Sequence, residues 1–177
     1  MKKPASLRAH LLASVPGMAR KPDQIKIFIE KGSLRSTSGP GLSYQYSYHV
    51  SVLITDYPGS PDHVSIPLLE WIRVNQNELL ANQNKNSEAI QMEVEFLNND
   101  LVDLQFTVPL TERVIVKRID GQLHYSYPPE PQLTEQFPST RVQLMANGEV
   151  VAEWDSPAPV GTDIETPHPG RRPLDAC

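Results

Sequence analysis

Five histidines, His10, His49, His63, His124 and His168, are the first residues to weigh for chemistry. A helical metal site needs two of them at i, i+4, and no pair has that spacing. With one cysteine, Cys177, neither a CxxC ligand pair nor an internal disulfide can form. His49 and His63 flank Asp56, but exposed or loop histidines are the plainer reading. None of the serines sits in a GxSxG elbow, and Cys177 has no neighbour to orient a base. Glu93, Glu95 and Asp103 offer carboxylates for acid–base work, yet they fall on the polar phase of their strands, where water solvates them. GxGxxG and GxxxxGK are both absent. The sequence therefore predicts no catalytic, cofactor-binding or metal-binding set, and no cofactor.

What it does offer is surface chemistry. Tyr44, Tyr46 and Tyr48 line one face of a strand, which fits a base-stacking platform or a core and subunit contact. The net charge of −5 favours the contact over nucleic-acid recognition. Residues 1–35 carry eight Lys/Arg against Asp23 and Glu30, while the rest of the chain carries eight against nineteen acids. A basic beginning on an acidic body is solvated surface, or one half of a self-complementary, head-to-tail contact. On the second reading the candidate interface residues are Arg20, Lys21, Lys26, Lys31 and Arg35, then Tyr44, Tyr46 and Tyr48, then Glu93, Glu95, Asp103 and Trp154.

The elements that must position these residues follow from periodicity. Lys3 to Ser14 reads as a helix, with Leu7, Leu11, Leu12 and Val15 at helical spacing and Pro16-Gly17 as its stop. Arg8 and His10 interrupt the apolar run, so the segment reads as an amphipathic surface helix and not as a secretion signal. Ile25, Ile27 and Ile29 alternate with Lys26, Phe28 and Glu30 in a strand reaching about Arg35, and a turn follows at 36–41. The cleanest alternation runs from about Leu42 to Thr55, long for a strand in a small domain. A helix begins between Asp62 and Ser65, with Leu68, Trp71 and Ile72 on its apolar face. After a polar loop at 82–87, strands at Ile90–Phe96 and from Val102 flank a turn at Asn98-Asn99-Asp100. Pro109 predicts that the second of these ends, bulges or lies at an edge there. The pattern continues through Val116 to Asp120-Gly121 and a short strand with Leu123, Tyr125 and Tyr127.

The fold class is thus α+β: a mainly antiparallel or mixed sheet covered by two helices, with a C-terminal β-hairpin and a disordered Pro-rich tail. A crossover after Thr55 leaves room for a parallel pair. Residues 1–127 make the core domain, 128–140 a Pro-rich linker, 141–155 a hairpin around Asn147-Gly148, and 156–177 the disordered tail. A lone hairpin is marginal in water, so this one is expected to dock on the main domain or on another subunit, across a protomer boundary or onto a tail neighbour in the second case. No stretch approaches the ~20 apolar residues of a membrane span.

Several stretches together resemble one family. They are PASLRAHLL from Pro4, Ile27-Phe28-Ile29, Gly32-Ser33, Ile54-Thr55-Asp56, and Ile66-Pro67 to Trp71-Ile72-Arg73 with Asn75-Gln76. Asn98-Asn99-Asp100, Leu110-Thr111-Glu112-Arg113, Asp120-Gly121 with Leu123-His124, Asn147-Gly148-Glu149 and Glu153-Trp154-Asp155 complete the series. In that order they resemble the tail completion protein R family of temperate, contractile-tailed phages, over residues 4–155. The resemblance implies a structural protein of the virion tail, similar in role to terminators that close a six-fold ring on the head-proximal end of the tail tube. It implies partners among further copies of itself, the tube protein, the sheath and the head connector, and no catalytic residues. Two other classes compete: a head–tail joining factor on the connector side, and an unrelated cytosolic module whose Tyr-rich strand docks a peptide or single strand.

Overall fold

The structure, a computed structural model, describes residues 1–36, 41–81, 90–97, 100–131 and 140–156. Residues 37–40 of the turn expected at 36–41, the loop expected at 82–87, Asn98 and Asn99 of the expected turn, most of the linker, and the tail beyond Ser156 lie outside these residues.

The first helix, α1, spans Lys3–Ser14 and turns Leu7 and Leu11 fully into the core, the stripe its spacing predicts. Two short 3₁₀ turns, Met18–Arg20 and Pro22–Gln24, lead into strand β1, Ile25–Ser36. Strand β2, Tyr44–Tyr57, returns beside it, and helix α2, Asp62–Asn75, with the single turn α3, Glu78–Ala81, crosses the sheet. Strand β3, Gln91–Phe96, then precedes the long β4, Val102–Ile119, and the short β5, Gln122–Ser126.

The main sheet runs β1-β2-β4-β3, with β5 paired to the far end of β4, and every pairing is antiparallel. The crossover after β2 does bring the chain back in the same direction, as β3. No parallel pair results, because β4 lies between the two strands and bonds to both. Both helices cover one face. Tyr48, Val50, Val52 and Ile54 of β2 and Leu104, Phe106, Val108 and Leu110 of β4 meet Leu7, Leu11, Val64, Leu68, Trp71 and Ile72 there.

Pro109 neither ends nor bulges β4. It stands opposite His49 of β2, while β3 begins at Gln91 opposite Thr107, two residues short of it. Among the described residues none pairs with Pro109 on that flank, and an unpaired flank is where a residue without an N–H is tolerated.

A separate two-stranded sheet closes the described chain: β6, Thr140–Ala146, and β7, Glu149–Ser156. Asn147 and Gly148 join them with φ of 51° and 85°, the left-handed pair that a tight hairpin turn demands.

Candidate subunit interface

The helices seal one side of the sheet and leave the other uncovered by any described element. Residues paired across antiparallel strands share a face, so the register states which side chains lie there. On β4 and β3 the open face carries Asp103 opposite Glu95 and Gln105 opposite Glu93. Glu93 and Glu95 are exposed, and Asp103 accepts the Asp56 N–H at 2.8 Å. These acids border a shallow hollow of about 280 Å³, with Leu53 and Gln105 also in its lining.

Across the sheet, on β1, the same face is basic. Lys26 lies opposite Leu53, Lys31 opposite His49 and Arg35 opposite Gln45. Lys31 and Arg35 reach this face through a bulge between Ile29 and Lys31, where Glu30 is the extra residue. Strict alternation would have put them with the isoleucines. Arg20 and Lys21 sit exposed on the turns that lead into β1. Between the two edges lie Ser47, Ser51 and Thr107, and the exposed Arg113 of β4, opposite Gln45, stands on this face at the end that Arg35 occupies. No Lys or Arg occurs from Ser36 to Ile72 or from Ile90 to Glu112, so nothing dilutes the acidic side from within.

The tyrosines divide. Tyr48 does not face outward: it is 2 % exposed, and its hydroxyl donates to Glu112 Oε1. Burial, then that hydrogen bond, raises its pKa far above the ordinary tyrosine value. Tyr44 and Tyr46 lie farther along β2, half-buried, with Tyr46 packed against the margin of the core. Their rings meet edge to face at 5.0 Å and their hydroxyls lie 3.2 Å apart. That hydrogen bond is the main cause raising the Tyr44 pKa to about 12. Tyr125 and Tyr127 form a second edge-to-face pair, with the Lys2 ammonium 4.9 Å from the Tyr127 ring centre.

Trp154 is also directed inward, onto the chain's own domain, the first of the two docking places expected for the hairpin. Its ring lies against His10 of α1, centroids 6.3 Å apart, and its Nε1–H donates to Glu70 Oε2 of α2 at 2.6 Å. Leu144 and Trp154 of the hairpin are buried, while Met145 and Val150 stay exposed. His10 in turn donates from Nε2 to the Pro67 carbonyl at 3.0 Å, and its burial lowers its pKa below 6.5. A histidine whose folded pKa is depressed contributes full stability above the unfolded value and loses it as pH falls below 6.5. Acidification from pH 7.5 to 5 is thus expected to lower the thermal midpoint. His10→Gln, neutral throughout, is expected to flatten that slope, and an unchanged slope would refute the assignment.

Sequence reasoning missed Glu112 as a structural centre. The signal was there: an acid on the phase occupied by Leu104, Phe106, Val108, Leu110 and Val114. Its carboxylate, 3 % exposed, accepts the N–H groups of Lys2 at 2.7 Å and Lys3 at 3.3 Å, at the start of α1. Lys3 Nζ bonds Gln76 Oε1 and pairs with Glu130, each at 2.7 Å. Also unforeseen are the exposed apolar residues on the sheet edges, Ile29 and Leu34 on β1 and Met92 and Phe96 on β3. His49 is exposed on the open face, and His63 lies in the first turn of α2. No metal-competent group of three or more His, Cys, Asp or Glu occurs among the described residues, and no helix there is long and apolar enough to cross a membrane.

Residues 1–131 match the family described as P2 phage tail completion protein R (GpR). The chain belongs to that family. The "Tail completion protein R" of Escherichia phage P2 is 35% identical over 159 residues, which cover 88% of this chain and 99% of the relative. No solved structure matches the chain. Membership in the tail completion protein R family assigns the chain to phage tail completion and makes it a component of the tail.

Proposed function

We propose that this chain completes tails as a purely structural, non-enzymatic subunit. Copies close into a ring, of six on this reading, at the head-proximal end of the tail tube. The ring stops growth of tube and sheath and presents a surface to the head connector, and assembly takes place in the host cytoplasm. The observation that carries this is a sheet sealed on one side by its own helices, open on the other, with opposite charge at its two edges. A rotation that sets one patch against a different patch generates a closed ring. Membership in the tail completion protein R family supplies the setting.

Electron microscopy of particles made without this chain tests the reading. Overlong or unstable tails lacking heads are expected. Normal tails without heads would move the chain to the connector side, as a joining factor. Infectious particles of normal form would end the proposal.

A further inference from the structure

We propose that neighbouring copies join edge to edge, the acidic β3 edge of one against the basic β1 edge of the next, so that the sheet continues around the ring. This rests on the ring reading above and specifies its contact.

No described strand pairs with the outer side of β1 or of β3, so both present free backbone groups. Strand direction alternates across the four positions, which makes β1 and β3 antiparallel. Repeating the subunit sideways sets β3 beside β1 in the antiparallel sense that every other pair in the sheet uses. The side chains match on both faces. On the open face Glu93 and Glu95 meet the side that carries Lys26, Lys31 and Arg35. On the helix face Met92 and Phe96, 53% and 76% exposed, meet the side that carries Ile29 and Leu34, 45% and 59% exposed.

Lysines on an edge strand ordinarily guard it against pairing. Here they stand beside exposed apolar residues, and acids of matching number occupy the other edge. A guard alone would need neither. Because the two edges differ, like edges repel and unlike edges attract, which selects the head-to-tail contact over a two-fold dimer.

Charge reversal tests this on the full-length chain, by native mass spectrometry and by electron microscopy with purified tail tubes. Lys26→Glu with Lys31→Glu makes both edges acidic, and Glu93→Lys with Glu95→Lys makes both basic. Each variant alone is expected to lose the ring and to run at the 19.8 kDa of one chain. Mixed in equal amounts, the two are expected to reassemble as alternating rings with an even number of subunits. The chain bearing all four reversals is expected to close by itself. These recoveries separate a broken contact from a broken fold. Rings that persist in either variant alone would overturn the edge contact and leave the ring reading standing, as would failure of both the mixture and the fourfold variant. A wild-type chain that forms no ring in solution or on tubes would overturn both.

Discussion

Glu112→Ala is expected to destabilise the chain by about 3 to 4 kcal/mol, because it strands a buried hydroxyl and a buried N–H together. The carboxylate is the only described acceptor for the Tyr48 hydroxyl and for the Lys2 and Lys3 N–H groups at the head of α1. That helix has no side-chain cap of its own, since Lys2 occupies its N-cap position. Glu112 therefore acts as a cap supplied from a strand, and its negative charge also favours the positive end of the helix dipole. Lys2 is exposed and can turn to water, whereas Lys3 and Tyr48 are buried and cannot. For a chain of this size, each kcal/mol shifts the melting midpoint by about 2–4 °C, so a drop on the order of 10 °C is expected by calorimetry. Tyr48→Phe removes a donor and leaves an acceptor with other partners, so it should cost only about 1 kcal/mol. A Glu112→Ala midpoint within the error of wild type would show that α1 does not depend on this carboxylate.

The same residue shows how far the sequence could be read. Alternation made β2 and β4 visible because a sheet covered on one side writes its burial directly into every second position. An acid inside that alternation was equally visible, but its partners were not. Lys2 and Tyr48 lie 110 and 64 residues away, and only the strand order β1-β2-β4-β3 brings them together. Order is set by which long-range pairings bury most surface, and local periodicity carries no record of that. The charge split was legible in the same limited way. Composition separates a basic beginning from an acidic body, yet placing the two on opposite edges of one face required both the strand order and the bulge at Glu30. Pro109 was ambiguous because the short extent of β3 decides its environment, and that extent depends on residues far from it.

Trp154→Ala is expected to release the hairpin from the helices while leaving the main core folded. The hairpin buries Leu144 and Trp154 and little else, and neither belongs to the core cluster between the sheet and α1 and α2. Loss of a buried tryptophan costs about 3 to 5 kcal/mol, and two strands alone are marginal in water. The cost should therefore appear as local opening and not as global unfolding. Hydrogen exchange at residues 140–156 should speed up by roughly two to three orders of magnitude at ~1.4 kcal/mol per tenfold, with protection in β2 and β4 retained. Trp154→Phe keeps most of the apolar contact and should lose far less. Concentration separates this placement from docking onto a second copy. A hairpin held by His10 and Glu70 of its own chain is equally protected in dilute and concentrated protein, because no second molecule takes part. Protection that fell on dilution would return the hairpin to a subunit boundary.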